Sequence, residues 1–467
     1  MTTISLPIAD SPTTAPASGC SAAPATPPAP ASPVPEAKQT TVGNYFVANY
    51  PPFGFWTQGH VADFNAALDS PPRPGTDLGL YVHIPFCRKR CHFCYFRVYT
   101  DKNAADIRSY IDSVLLELAE YASRPAIKGR QPTFIYFGGG TPSYLSPDQL
   151  RTLTTGMKRL LPWTSAREVA FEAEPGTINE LKLAALKEIG VTRLSLGIEH
   201  FDDHVLETNG RAHRSKEITR AFNWARAAGF NQINVDLIAG MLEETDERWA
   251  DTIAKTIALG PESVTIYQME IPYNTTIYQR MKAQGDLHAP VADWETKRRW
   301  VDWAFEQFKK AGYSVVAATT VVKNPGEAFL YRKGLFDGSD LLSAGVSAFG
   351  HLSGVNYQNQ HDFQPYLDAI ASGRLPTYRA YPLTEDENYI RELALQLKNG
   401  RISIPAFTRK FGVDPRIRFA IQFAELDSRG LLTTDDQHVT LTRAGLLQVD
   451  RLLYSLFLPK HQTGRYA

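Results

Sequence analysis

From residue 78 onward the sequence alternates six times between a short apolar run and a longer amphipathic stretch. Short apolar runs predict buried strands, and apolar residues spaced three or four apart predict helices. The predicted strands cover 78–84, 133–137, 168–173, 193–198, 232–238 and 263–269, and the helices 105–121, 146–161, 178–189, 217–228, 247–259 and 294–311. Such a repeat gives parallel strands joined by right-handed crossovers. The sequence therefore predicts an α/β fold and favours a full or partial (β/α) barrel over an open doubly wound sheet, with functional side chains at the carboxyl ends of the strands.

Composition excludes several classes of protein. The chain has 467 residues, and 49 Lys and Arg balance 49 Asp and Glu, so its formal net charge is zero. The net charge therefore provides no overall electrostatic attraction to nucleic acid, and no nucleic-acid partner is predicted. No run of about 18 or more apolar residues occurs, so the sequence predicts no membrane span. Four cysteines, three of them within eight residues, do not make a disulfide-stapled secreted scaffold.

The pattern along the chain divides it into five segments. Residues 1–40 carry nine prolines and three charged residues, and such a segment buries too little apolar surface to fold, so a disordered tail is predicted. We interpret 41–77 as an N-terminal arm, 78–355 as the barrel and 356–384 as a connector. Residues 385–467 predict a small C-terminal α+β domain of winged-helix-like outline. Its few arginines form no basic stripe, which favours a packing or lid role over DNA binding.

Three cysteines follow the first predicted strand in the pattern C-x3-C-x2-C, at Cys87, Cys91 and Cys94. Thiolates this close together bind a metal if one is available. Structural zinc usually takes four ligands from paired C-x2-C elements; the chain has no second pair, and a labile zinc site stays open as an alternative. A 4Fe-4S cluster ordinarily takes four cysteines, so three would leave one iron with an open position for a small molecule. The cationic run at residues 88–90 is predicted to help keep the thiols deprotonated.

This loop resembles the radical S-adenosylmethionine (radical SAM) superfamily, in which an aromatic residue, here Phe93, precedes the third cysteine. The longer motif Y-x-H-I-P-F-C at 81–87 resembles a narrower group, the HemN-like family of oxygen-independent coproporphyrinogen III oxidases, and the resemblance continues through most of 78–467. It implies a radical SAM barrel, a 4Fe-4S cluster held by the three cysteines, and one or two molecules of S-adenosylmethionine. In the superfamily the open iron chelates the amino and carboxylate groups of S-adenosylmethionine, and an electron from the cluster yields a 5′-deoxyadenosyl radical that abstracts hydrogen.

The resemblance also implies which side chains contact S-adenosylmethionine. The block G-G-G-T-P at 138–142 would meet its amino group, and Glu172 would contact the methionyl amine. Glu199 stands where the family commonly has glutamine and could accept hydrogen bonds from ribose hydroxyls. Arg211 would pair with the carboxylate, and Asp236 would contact ribose or adenosine. The block G-V-S-A-F at 345–349 would lie near a second S-adenosylmethionine. The implied cofactor-binding positions are Tyr81, Phe93, Gly139, Gly140, Thr141, Glu172, Glu199, Arg211, Asp236 and Ala348.

Two departures from the family pattern bear on the reaction. Residues 95–96 are Tyr-Phe, whereas the oxidase usually has Gly-Cys after its third cysteine. Residues 330–335 (LYRKGL) lack the histidine and tryptophan of the haem-chaperone branch. The leading hypothesis is a radical SAM oxidoreductase that converts two propionates of coproporphyrinogen III to vinyls, giving protoporphyrinogen IX. The alternatives are a HemN-like methyltransferase or cyclopropane-forming enzyme on an aromatic or quinone substrate, and a haem chaperone. No catalytic side chain is assigned beyond the cofactor contacts.

The resemblance further implies the partners and the compartment. The substrate is expected to be a small molecule, with a tetrapyrrole favoured, and the electron to come from a flavodoxin or ferredoxin-type protein. An exposed iron–sulfur cluster is sensitive to oxygen, and thiols persist in a reducing compartment, so a cytoplasmic location is expected.

Alanine at Cys87, Cys91 or Cys94 is expected to abolish cluster loading, because each thiolate is one of three ligands. Iron, sulfide and visible absorption after anaerobic reconstitution measure it. Cys20→Ala is the matched control and should load normally. Normal loading of Cys91→Ala, or loss of the cluster in Cys20→Ala, would contradict the assignment.

Overall fold

The computed structural model describes residues 40, 43, 45–285, 290–327 and 329–464. The predicted disordered tail, with Cys20, lies outside the described residues except for Thr40. Within those ranges the strands are β1 (Leu78–Ile84), β2 (Phe134–Gly139), β3 (Glu168–Ala173), β4 (Arg193–Glu199), β5 (Ile233–Ala239), β6 (Ser263–Gln268), β7 (Ser314–Ala317), β8 (Thr320–Val322), β9 (Asp340–Ala344), β10 (Phe349–Leu352), β11 (Val355–Asn359), β12 (Thr377–Pro382), β13 (Arg401–Ser403), β14 (Leu432–Thr434) and β15 (His438–Leu441).

Seventeen α-helices occur in the same ranges. They are α1 (Val61–Leu68), α2 (Ala104–Ser123), α3 (Pro147–Leu160), α4 (Glu180–Glu188), α5 (Asp203–Thr208), α6 (Ser215–Ala227), α7 (Asp246–Leu259), α8 (Thr276–Gln284), α9 (Trp294–Lys310), α10 (Leu330–Phe336), α11 (Phe363–Ala371), α12 (Glu385–Leu397), α13 (Ile404–Phe411), α14 (Pro415–Arg418), α15 (Ala420–Ser428), α16 (Arg443–Leu446) and α17 (Val449–Leu453). None of them is both long and apolar enough to cross a membrane.

Twelve strands form one sheet in the order β12-β11-β10-β9-β1-β2-β3-β4-β5-β6-β8-β7. Strands β1 to β6 pair in chain order and in parallel, and β9 adds a parallel strand beside β1. Antiparallel strands extend both margins. Because β12 and β7 end the described sheet, the predicted α/β fold takes the form of a partial (β/α) barrel rather than a closed one.

All six predicted strands and all six predicted helices form within two residues of their predicted limits. In a partial (β/α) barrel, helices cover the outer face of the parallel strands and the inner face is packed with side chains, so the strands are apolar along nearly their whole length and easy to recognise. In β1 and β5 every residue is buried except one, Tyr81 in the first and Asp236 in the second. Helix starts carry local signals as well: Ser146 and Gln149 form a capping box around Pro147 at the first position of α3.

The segment 356–384, expected to be a connector, instead supplies most of β11, all of α11 and all of β12. Both strands belong to the main sheet, and β11 is buried at every residue. The polar side chains of β11 gave no apolar run in the sequence, so the strand was not predicted. These side chains form hydrogen bonds with other parts of the protein. Asn356 donates to the backbone carbonyl of Tyr50 (3.0 Å), and Asn359 donates to Oε1 of Glu117 (2.6 Å).

The C-terminal domain has the expected α+β outline. Strands β13, β15 and β14 form a separate antiparallel sheet, packed with α12 to α15 around a second apolar core. Two short helices, α14 and α15, follow α13 in this domain. Phe419, at φ −112° and ψ 28°, leaves the helical conformation between them and is buried in that core. Val47 and Tyr50 of the arm pack into the same core, so the arm and this domain are held together.

Candidate functional site

The carboxyl ends of the parallel strands face a cavity of about 440 Å³. Tyr45 and Phe46 of the arm and residues 446–451 of the C-terminal domain complete its wall, which agrees with the lid role expected for that domain. Most predicted site residues meet here, although they come from five strands and their loops. Those lining the cavity are Cys87, Cys91, Cys94, Phe93, Gly139, Gly140, Thr141, Glu172, Glu199, Arg211 and Asp236.

Two predicted cofactor positions lie behind this wall. The hydroxyl of Tyr81 lies 3.1 Å from Nδ1 of His83, and its ring stacks on that of Tyr136 with centroids 5.9 Å apart. Ala348 is fully buried, and its carbonyl accepts a hydrogen bond from the backbone N–H of Asn359 (3.0 Å). Neither residue is among those that line the cavity, and a contact of either with S-adenosylmethionine stays a prediction.

The cysteine loop is anchored by two hydrogen bonds to sulfur. Thr141 Oγ1 donates to Cys87 Sγ (3.2 Å), and Arg211 Nη1 donates to Cys91 Sγ (3.2 Å). Burial raises the pKa of the Cys87 thiol to about 11 and that of Cys94 to about 12. The protein environment thus favours neutral thiols, and metal binding must drive their deprotonation.

Burial has the largest effect on the pKa of Cys94 and raises it, while Arg90 of the cationic run lowers it, as the sequence predicted. Arg88 forms a two-bond ion pair with Glu174 (3.1 and 3.0 Å). Arg90 donates to the backbone carbonyls of Cys94 (3.2 Å) and Asn274 (2.9 Å). These arginines also fix the shape of the loop.

The donor set fits an iron–sulfur cluster better than a single zinc ion. Among the described residues, no three His, Cys, Asp or Glu side chains converge as the ligands of one ion must. Three thiols on one loop beside a cavity provide the soft ligands that iron–sulfur clusters take. Cys87, Cys91 and Cys94 are therefore the residues that would hold a 4Fe-4S cluster.

Arg211 lies beside Glu199, and its charge also acts on Glu174 and Asp236. Besides Cys91, it donates to the carbonyl of Gly197, and its Nη2 lies 3.5 Å from Glu199 Oε1. Although burial lowers its pKa, Cys91, Glu199 and Glu174 together raise the pKa of Arg211 above its usual range. Its Nε is buried without a hydrogen-bond partner among the described residues, so the guanidinium retains a donor for a ligand.

Burial raises the pKa of three carboxyl groups that line the cavity, which are Glu172, Glu199 and Asp236. The values for both glutamates rise to about 7. Glu172 accepts hydrogen bonds from Tyr136 and from the backbone N–H of Gly139 (3.1 Å).

The other two carboxyl groups, those of Asp236 and Glu199, belong to β5 and to the last residue of β4. Asp236 accepts from Ser195 Oγ (2.7 Å) and Asn234 Nδ2 (2.9 Å). Glu199 has φ +64°, a left-handed conformation that strains a residue with a side chain and that often marks a functional position. These crowded carboxyl groups beside one guanidinium are suited to a ligand that carries both cationic and anionic groups.

Glu174 is a site residue that the sequence analysis did not select. It accepts from Arg88 of the cysteine loop, from His213 Nδ1 (2.9 Å) and from the backbone N–H of Gly176 (3.1 Å). Burial raises its pKa, but His213, Arg211 and Arg88 outweigh burial and lower the pKa of Glu174 to about 2. Nε2 of His213 lies 3.1 Å from the carbonyl oxygen of Ile198, so one ionised carboxylate joins the cysteine loop to the ends of β3 and β4. Its position two residues after Glu172, at a strand end, was the available sequence signal.

Comparison with known proteins gives two family matches. Residues 81–256 match the family model described as the radical SAM superfamily, and residues 383–447 match the model described as the HemN C-terminal domain. The computed fold is similar to that of the coproporphyrinogen III oxidase HemN from Escherichia coli, with a TM-score of 0.77, covering 90% of this chain and 99% of that one. At 24% identity this likeness concerns the fold alone.

Curated relatives cover most of both chains but carry two kinds of name. The heme chaperone HemW of Bacillus subtilis is 29% identical over 371 residues, which is 79% of this chain and 96% of that protein. The oxygen-independent coproporphyrinogen III oxidase of Cereibacter sphaeroides is 28% identical over 418 residues, covering 85% and 91%. The Escherichia coli oxidase is 27% identical over 410 residues, covering 84% and 87%. The predicted family and fold are confirmed, and with them the superfamily's cofactors, a 4Fe-4S cluster and S-adenosylmethionine.

Glu172→Gln is expected to stabilise the cluster-free protein increasingly as the pH rises from about 4.5 to about 7, and by a constant amount above that. A carboxyl group whose pKa is higher in the folded state binds more protons there, so ionisation costs stability across that window. The gain should be on the order of 1–3 kcal/mol, reduced by water in the cavity. Melting temperatures measured at several pH values, with the half-exposed Glu425→Gln as control, test this. A gain for Glu172→Gln that does not change with pH would contradict it.

Proposed function

We propose, on the premise that this chain belongs to the radical SAM superfamily and carries a HemN C-terminal domain, that it catalyses the oxygen-independent oxidative decarboxylation of coproporphyrinogen III. Each of two propionates would lose a hydrogen atom to the 5′-deoxyadenosyl radical, and would also lose carbon dioxide and one electron, to become a vinyl, giving protoporphyrinogen IX. The electron released balances the one that cleaves S-adenosylmethionine, which is the net oxidant. The observation that carries the proposal is a single cavity in which the cysteine loop, Arg211 and three buried carboxyl groups meet. Relatives named as this oxidase, aligned over most of both chains, support the choice of reaction.

The cofactors would supply the radical chemistry, and the residues of this chain would bind and orient S-adenosylmethionine. A reduced 4Fe-4S cluster with S-adenosylmethionine yields a 5′-deoxyadenosyl radical, the hydrogen-abstracting species of the superfamily. We propose that Arg211 offers its unpaired Nε to the carboxylate of S-adenosylmethionine and that Glu172 accepts from its amine. Glu199 and Asp236 are then placed for its ribose hydroxyls. Buried charge pairs of this kind orient a ligand and exclude water from the reacting atoms.

The second candidate function is haem binding, favoured by the relative named heme chaperone HemW. Against it stands the segment 330–335, which carries no histidine or cysteine that could ligate haem iron. Residues Leu330–Phe336 form α10, where Tyr331 stacks on Tyr136 with centroids 4.3 Å apart. Helix α10 therefore packs against the sheet through aromatic side chains and offers no ligand for haem iron, which supports the oxidase over the chaperone.

The proposed reaction also needs an electron donor and a compartment. We propose a flavodoxin or ferredoxin-type reductant, because the cluster must receive one electron for each S-adenosylmethionine cleaved. A reducing cytoplasm would keep the three thiols and the cluster intact. Ala348 and Tyr81 are not among the residues that line the cavity. The proposal therefore assigns contacts for one S-adenosylmethionine only. A second molecule would have to bind where the substrate binds.

Arg211→Ala should weaken S-adenosylmethionine binding by roughly tenfold to a hundredfold, since hydrogen bonds to charged groups contribute about 1.5–3 kcal/mol. Anaerobic equilibrium dialysis of the reconstituted protein measures the affinity, and iron content reports cluster retention. Arg220→Ala, on the outer face of α6 with a half-exposed side chain, is the matched control. Equal affinities in Arg211→Ala and wild type would refute the proposed contact.

The proposed reaction predicts three products from one assay. Reduced, reconstituted protein is supplied with S-adenosylmethionine and coproporphyrinogen III under anaerobic conditions. 5′-Deoxyadenosine, carbon dioxide and a divinyl tetrapyrrole should accumulate together, because a correctly oriented carbon–hydrogen bond couples cleavage to product. Accumulation of S-adenosylhomocysteine would replace the oxidase by the methyltransferase alternative. Tight haem binding without turnover would favour the chaperone.

A further inference from the structure

Two partly exposed aromatic rings lie directly beside the cysteine loop, and one of them, Phe96, also contacts the ring of His83 (centroids 6.5 Å apart). Tyr95 and Phe96 follow Cys94, and their rings stack on each other with centroids 4.6 Å apart and an angle of 27°. Their exposed fractions are 38% and 40%, and both residues line the cavity. Large aromatic side chains gain most from burial, so two accessible rings inside a cavity are a costly arrangement unless a ligand covers them.

A third accessible ring in the cavity comes from another strand. Tyr267, at the end of β6, is 40% exposed and also lines the cavity. Burial nevertheless raises the pKa of Tyr267 well above its usual range, so protein surrounds it and its accessible part faces the cavity rather than bulk water. Phe46 of the arm meets Tyr267 edge to face, with centroids 6.3 Å apart. The cavity is therefore lined by aromatic rings from the cysteine loop, from β6 and from the arm.

The Tyr95–Phe96 pair is held rigidly by its backbone. Asn274 Nδ2 donates to the carbonyl of Tyr95 (2.6 Å), and Arg90 bridges the carbonyls of Cys94 and Asn274. A platform fixed in this way can bind a flat ring with little loss of conformational freedom.

We propose that Tyr95 and Phe96 form an aromatic platform that binds an aromatic ring of the substrate and sets specificity for it. The inference rests on the proposed function and deepens it: for a tetrapyrrole the ring on the platform is one of its pyrroles. Offset stacking on Tyr95 and Phe96, in the cavity that Tyr267 also lines, holds that ring next to Cys94 and so next to the site of radical formation. The oxidases that this sequence resembles usually have Gly-Cys at these positions and cannot offer such a surface.

The test compares three variants of the reconstituted full-length protein. Tyr95→Leu/Phe96→Leu keeps apolar bulk but removes the flat faces, and Tyr95→Phe/Phe96→Tyr keeps the faces. Trp303→Leu, a change at a ring of matching 40% exposure on α9 away from the cavity, is the control. The probes are coproporphyrin III, the coloured oxidised form of the proposed substrate, and 2-methyl-1,4-naphthoquinone. Absorption and fluorescence titrations give affinities, and iron content verifies that each variant carries its cluster.

The double leucine variant should bind whichever probe the wild type binds at least about tenfold more weakly, while the Phe/Tyr variant and Trp303→Leu stay within about twofold. Binding of the quinone but not of the porphyrin by the wild type would overturn the tetrapyrrole substrate and leave the platform standing. Equal affinity in the leucine variant and wild type, an equal loss in the Phe/Tyr variant, or no binding of either probe would overturn the platform. Should the double variant lack its cluster, Phe96→Leu alone is judged by the same criteria.

Discussion

Parallel pairing of β1 through β6 brings six strand ends to one edge of the sheet, and the chemistry of the site follows from that geometry. Carboxyl groups that are far apart in the chain, on β3, β4 and β5, become neighbours in a space shielded from water. Burial and mutual repulsion raise the pKa values of Glu172 and Glu199, and Arg211 offsets only part of that cost. Such an excess of buried acids is stable when a ligand brings positive charge, and S-adenosylmethionine carries a sulfonium and an ammonium group.

The cysteine loop depends on a different set of charges. Glu174, ionised and buried, binds Arg88 on the loop and His213 after α5, so that the loop, β3 and β4 form one unit. Arg211, two residues before His213, reaches Cys91 from the same segment. The groups that would hold the cluster and those that would hold S-adenosylmethionine are thus positioned by one connected network. A substitution of Glu174 would therefore disturb both the cluster ligands and the residues proposed to bind S-adenosylmethionine.

The cover of the cavity is made from both ends of the chain. Lys398 of the C-terminal domain donates to the carbonyl of Val47 (2.9 Å) and to Asp450 (2.6 Å), and Asp450 accepts from the backbone N–H of Val47 (2.8 Å). This buried ion pair ties the arm to the residues that complete the wall. Arm and domain together line the cavity at the strand ends.

The sequence by itself determined the strand–helix repeat, the cysteine loop, the family and most of the residues around the cavity, because these are local patterns: apolar runs, caps and close spacings. Only the tertiary structure decided which polar groups meet. Asn356 and Asn359 are buried because partners more than 200 residues away satisfy them, so β11 was not recognisable as a strand. Glu174 and His213, 39 residues apart, form their pair only when adjacent strands align. Tyr81 and Ala348 match a family motif but are not among the residues that line the cavity, whereas Tyr95 and Phe96 depart from the motif and do line it. The reason is that the direction of a side chain depends on tertiary packing, which a motif does not encode.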